Sequence, residues 1–238
     1  VNTGEAESSW IGPRLLLLRH GEVVSHKGDM PLTPRGRRQA RRAGRDVGAS
    51  SADVVMLLAS PTARTRDTAA EFFQGLREAA PESPVPEPRT SFALRNPDLY
   101  LAGHHVNMVS TAAAFCEQAP IVTERQCLRL PFFAGFLNAP DRIGYWLTHA
   151  NPPGDDPAAV AARVAAFATS LADVPGQVTK TVVGVTHSPL LRAAALTFLG
   201  EDPGEPHYLH GYSIRVREGG RIDAAVFSPF QTAGVRRP

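Results

Sequence analysis

Three short apolar runs punctuate this chain, and each stops abruptly on polar residues and a turn. LLLL at 15–18 runs into Arg19, His20 and Gly21; VVMLLA at 54–59 runs into Ser60-Pro61; VVGV at 182–185 runs through Thr186 into His187, Ser188 and Pro189. Each run predicts a short buried strand, over residues 14–19, 53–59 and 181–186. Helices are predicted to follow. Thr33-Pro34, Ser60-Pro61 and Ser188-Pro189 each join a hydroxyl residue to a proline, the pairing that opens a helix, and the third helix stops at Gly200. Val160, Val164, Phe167 and Leu171 recur at helical spacing and predict a helix over about 157–171. GYSIRVREGGRIDAAVFS alternates on both sides of Gly219-Gly220 and predicts a hairpin.

Between these elements the pattern breaks down. Residues 1–13 form a polar lead-in closing at Gly12-Pro13. GEVVSHKGDMPL, at 21–32, is too polar and too rich in Gly and Pro to be an element, and should lie over the first strand's exit. The prolines of PESPVPEP, at 81–88, allow only an extended edge or a loop. Residues from about 91 to 153 are aromatic and proline-broken; a stretch this long predicts an inserted cap over the site, with Phe132, Phe133, Phe136 and Trp146 as its core.

Length and composition restrict this picture only slightly. At 238 residues a single α/β domain spanning 1–238 accounts for the chain. The net charge of +2 gives no reason to expect a nucleic-acid or membrane partner. Cys116 and Cys127 lack metal-ligand spacing and are expected to be thiols. The first residues carry acidic groups and no apolar leader core, so the expected location is the cytoplasm. The arginines at 35, 37, 38, 41, 42 and 45 are expected on a solvated helix face.

The chemistry gathers at the strand exits. If the strands are parallel neighbours, Arg19, His20, Arg64 and His187 share one rim. Arg64 falls in the first turn of its helix, near the positive end of the dipole, whereas Arg66 points elsewhere. Two arginines, two histidines and helix amides suit a phosphoryl group, whose oxygens match arginine forks. Imidazole, with an ordinary pKa of about 6.5, keeps a nucleophilic nitrogen near neutrality. His20 could therefore take the phosphoryl group covalently, with Arg19, Arg64 and His187 stabilising its charge. No metal or other cofactor is expected.

LLLLRHGE, LTPRGRRQA, SPTARTRDTA and VVGVTHSPLLRAAA, in this order, resemble the histidine phosphatase superfamily, the phosphoglycerate mutase-like proteins. The resemblance implies an α/β fold, a three-layer α/β/α sandwich with a central, mostly parallel sheet. It also implies that His20 is the phosphohistidine and that Arg19, Arg64 and His187 complete the pocket. Family members often carry a proton-donating Glu after the middle strand; Asn96 stands there in this chain, and Asp98 is the candidate replacement. Glu22 is counted with the phosphate-binding residues and, with His104 and His105, is a lesser candidate for the acid. Ser188 replaces a more usual glycine and can still offer its backbone amide to phosphate.

The expected function is a metal-independent phosphomonoesterase acting on a small phosphorylated metabolite. A phosphate binder that has lost its general acid, or a phosphomutase, are the alternatives.

Overall fold

The computed structural model describes residues 10–25, 28–50, 54–173 and 179–230. Its principal sheet has six strands: β1 (Trp10–Arg19), β2 (Val54–Ala59), β3 (Arg89–Thr90), β6 (Thr179–Thr186), β7 (Gly211–Arg217) and β8 (Ile222–Phe227). Their spatial order is β3-β2-β6-β1-β7-β8, with β3, β2, β6 and β1 parallel and β7 antiparallel to both β1 and β8. A separate hairpin joins β4 (Leu99–Leu101) to β5 (His104–Val106).

Burial on both faces explains the unbroken apolar runs. Leu15, Leu17, Leu58 and Val182 enter one core, and Leu16, Leu18, Leu57 and Val183 enter the other. The second core is closed by α1 (Pro34–Ser50) and α2 (Ala63–Ala79). These helices touch through glycines: a Cβ on Gly75 would lie 1.9 Å from the Arg41 carbonyl oxygen, and one on Gly44 would lie 2.0 Å from that of Phe72. Three of the arginines expected on a solvated face remain exposed and also pair across this contact, Arg37 with Asp67 and Glu71, Arg41 and Arg45 with Glu78.

The first core is closed by α7 (Pro157–Ser170), α8 (Ser188–Phe198) and the 91–153 segment, giving the three layers. That segment contains a 3-10 turn (Phe92–Leu94), the β4–β5 hairpin and four short helices: α3 (Ala112–Gln118), α4 (Glu124–Cys127), α5 (Pro131–Asn138) and α6 (Arg142–Thr148). Phe132, Phe133, Phe136 and Trp146 are buried, in the same cluster as Leu15 and Val182, so the segment shares the sheet's core.

β6 begins two residues before its expected start, and two further boundaries differ from expectation. β1 begins at Trp10, inside the lead-in expected over 1–13: Trp10 and Ile11 pair with Arg217 and Val216, and the register shifts before Leu15 pairs with Ile214. An irregularity here absorbs Pro13, which has no amide to give a ladder. Residues 1–9 lie outside the described residues. The second difference is that α2 opens at Ala63 with Thr62 as N-cap, so Ser60 is not the cap.

Candidate active site

Parallel pairing of β1 with β6 sets Arg19 opposite Thr186, so the residues that follow, His20 and His187, leave adjacent strands at the same end. The His20 amide donates to the Thr186 carbonyl at 3.0 Å, and the two imidazole centroids lie 5.5 Å apart. Both rings are buried, each 2% exposed. His20 Nδ1 lies 2.8 Å from the Gly21 carbonyl oxygen. A carbonyl can only accept, so Nδ1 carries the proton of the neutral ring and Nε2 carries the lone pair.

His187 is the N-cap of α8, and its Nε2 meets Ser60 Oγ at 2.9 Å. The sequence signal for Ser60, a serine before proline, was that of a helix cap. The hydroxyl instead serves the second histidine, because the Ser60 amide completes the ladder to Val185 (2.9 Å) and leaves the side chain at the strand end.

Arg19 is held from three sides. Its Nη1 donates to the Pro206 carbonyl at 2.6 Å, Nη2 pairs with Glu205 at 2.7 Å, and Cζ lies 4.3 Å from the Tyr208 ring centroid. Arg64, in the first turn of α2, faces Asp29 at 3.6 Å, and the Asp29 carboxylate accepts from the Ala63 amide at 2.8 Å. Burial lowers the Arg64 guanidinium from its ordinary proton affinity and Asp29 opposes this. The Nε atoms of Arg19 and Arg64 are both buried without a hydrogen-bond partner. Unmet cationic donors of this kind are what an anion's oxygens satisfy.

These residues line a cavity of about 630 Å³, within the range of small-molecule sites. Arg19, His20, Arg64, His187 and Ser188 lie on it together, as does Asn96. The 91–153 segment adds Met108, Val109, Phe136, Asp141, Arg142 and Ile143. Glu205 and Arg192, absent from the sequence-based candidates, also line it.

Two of the expected residues lie elsewhere. Asp98 is not on the cavity; Arg95 binds its Oδ2 through Nε (3.0 Å) and Nη2 (2.7 Å), and His105 reaches Oδ1 at 3.1 Å. Burial alone would raise the Asp98 carboxyl, but Arg95 and His105 overcome it and hold the group below the usual carboxylate range. An ionised, doubly paired carboxylate has no proton to donate, so the candidate acid is corrected to a structural clamp. Glu22 is also off the cavity. It accepts from Thr33 Oγ1 at 3.0 Å and faces Arg35 at 3.5 Å, which makes it a partner of the α1 N-terminus rather than of phosphate. His104 and His105 sit exposed on β5.

Asp141 is likewise unsuited to proton donation. Arg192 engages both its oxygens, at 2.8 and 2.6 Å, and with the α6 backbone holds its carboxyl at about 2. Ser188 is on the cavity, but its hydroxyl is bonded to Glu205.

The histidine phosphatase superfamily (branch 1) model matches residues 15–84, the stretch that runs from the leucine strand through α2. Solved structures share the fold over nearly the whole chain. A mycobacterial glucosyl-3-phosphoglycerate phosphatase, in complex with inorganic phosphate, is 21% identical, with 91% of this chain and 98% of that one covered and a TM-score of 0.57.

The chain has the fold and the first motif of the histidine phosphatase superfamily.

Similarity to other solved structures is of the same order. A putative alpha-ribazole-5'-P phosphatase from Escherichia coli is 18% identical (91% and 95% covered, TM-score 0.53), and a phosphoglycerate mutase from Bacillus anthracis is 14% identical (92% and 93%, TM-score 0.57). No curated protein sequence matches the chain. This histidine-phosphatase-like fold thus accommodates phosphatases and a mutase among its neighbours.

Proposed function

We propose that the protein is a metal-independent phosphomonoesterase that acts on a small phosphorylated metabolite through a phosphohistidine at His20. The observation that carries this reading is the pairing of a tautomer-fixed imidazole with two arginines whose buried Nε donors are unmet. A phosphoryl group bound between them would present phosphorus to His20 Nε2 while its equatorial oxygens take the guanidinium donors. Nε2 attacks in line and the ester oxygen leaves. Nδ1 keeps its hydrogen bond to Gly21 throughout, so the cationic phosphoimidazole is stabilised by a carbonyl dipole already in place. Water then attacks phosphorus and returns the electron pair to Nε2.

His187, at the α8 N-terminus, would hold a third oxygen. Methionine, phenylalanine and isoleucine on the 91–153 lining favour a substrate with an apolar portion beyond its phosphate. Cys116 and Cys127 are free thiols, which suits the reducing cytoplasm.

One observation favours a second reading. Asn96 lines the cavity where a proton-donating Glu is expected, and its Oδ1 is buried without a partner. A site lacking its acid could bind phosphate esters without cleaving them. An aryl phosphate separates the two readings because its leaving group scarcely needs a proton. Turnover of p-nitrophenyl phosphate is expected, undiminished by a chelator and at least about 10³-fold lower in His20→Ala. Tight phosphate binding without turnover would favour the binder.

A further inference from the structure

The geometry points to Glu205 as the proton donor to the leaving oxygen, the role for which Asn96 has no proton. This inference rests on the phosphatase reading and supplies its missing step.

Among the described residues, the cavity is lined by two carboxylates, Asp141 and Glu205. They differ in how they are held. Both oxygens of Asp141 are taken by Arg192, itself 2% exposed and fixed again by Asp202, and Asp141 also caps α6 through the Gly144 amide. Glu205 instead reaches from the loop between α8 and β7 into the phosphate-binding group: Oε1 pairs with Arg19 Nη2 at 2.7 Å and Oε2 bonds the Ser188 hydroxyl. Its side chain is 49% exposed, so it can exchange protons with solvent and shift when a ligand arrives.

The charged and titratable groups sharing the cavity with Glu205 are mostly cationic or protonatable: Arg19 on β1, His20 just beyond it, Arg64 on α2, Arg142 on α6, His187 before α8 and Arg192 within α8, with Asp141 neutralised by the last. Without substrate, Arg19 Nη2 pairs with Glu205 Oε1 at 2.7 Å. A phosphoryl dianion competes for the same guanidinium and sets two negative charges beside the carboxylate. Both changes favour a proton on Glu205, taken up from water as the ester binds. Substrate thereby arms its own acid.

The step balances. The His20 Nε2 lone pair forms the N–P bond while the ester P–O bond breaks. Its electrons go to the leaving oxygen, which takes the Glu205 proton and departs as an alcohol. The Glu205 carboxylate then accepts a proton from the attacking water; the new O–P bond forms, the N–P bond breaks, and phosphate leaves with the acid form restored.

The test compares p-nitrophenyl phosphate with an alkyl phosphate such as glycerol phosphate, in wild type, Glu205→Gln and Glu205→Asp. Glu205→Gln is expected to lose roughly 10²-fold in kcat on the alkyl ester and much less on the aryl ester. It should also lose the alkaline limb of the alkyl-ester pH profile. Glu205→Asp keeps a titratable group and should recover that limb with part of the rate. Equal losses on both esters, an unchanged alkyl rate in Glu205→Gln, or a pH profile that Gln leaves intact would overturn the assignment. Failure of the wild type to hydrolyse either ester would overturn the phosphatase reading itself, and is distinguished by appearing before any substitution is made.

Discussion

The strand-end residues and the cavity lining supplied by 91–153 are fixed by different kinds of bond. At the strand ends, main-chain atoms place the two histidines and one side of Arg19: Gly21 O orients His20, Pro206 O receives Arg19 Nη1, and the β1–β6 register sets the histidines side by side. In the 91–153 segment, side chains hold one another. Arg95 and His105 clamp Asp98, and Arg192 ties Asp141 of the α6 cap to Asp202 beyond α8. The first arrangement comes with the sheet, whereas the second depends on particular pairs of residues distant in sequence. The strand-end groups can therefore stay in register while the rest of the cavity changes its chemistry.

Removing the pair-dependent support should show this first. Arg192→Ala is expected to destabilise the protein by about 3 kcal/mol, at the low end for a broken buried ion cluster because Asp141 is 56% exposed and partly solvated. Thermal melting measures this. Acid melting sharpens it: Asp141 sits at about 2 in the folded protein, below its ordinary value near 4, so the stability it contributes is complete above about pH 4 and is lost as pH falls towards 2. That slope should flatten in Arg192→Ala. A variant melting like the wild type at every pH would remove the distinction between the two regions.

A smaller effect is expected at the strand ends. Ser60→Ala removes the 2.9 Å bond to His187 and should lower kcat/KM roughly tenfold, the worth of about 1.4 kcal/mol, with little change in melting temperature. Smallest of all, Asp98→Asn should cost less than about 1 kcal/mol of stability, since both partners of its ion pair are partly solvated. It should leave the aryl-to-alkyl rate ratio where it was. A ratio that rises would return Asp98 to the chemistry.

The same contrast decided what could be read in the sequence. The leucine run, the two histidines and the strand-to-helix turns are local signals, and the sheet turns them into a site by its register alone. Ser60 was visible but misread, because a serine before proline looks the same whether its hydroxyl caps a helix or meets a histidine 127 residues away. Glu205 had no signal at all. In EDPGEPHY it is one loop acid among several, and its place is set by Arg19 and Ser188. Asp98 shows the reverse: two residues from Asn96, it looked like a substitute acid until Arg95 claimed it. The first strand's early start at Trp10 was masked by Gly12-Pro13, which reads as a stop unless the irregular pairing with β7 is known.

Helix α8 carries both kinds of support at once. Ser188, at its first position, bonds Glu205 at the cavity, and Arg192, four residues later and so on the same side, carries the tie to α6. Their agreement is a matter of helical phase. One residue added or removed between them would turn Arg192 by about 100° relative to Ser188 and aim it away from Asp141. The spacing of that single turn therefore sets where the N-terminus of α6 is tied relative to the Ser188–Glu205 contact.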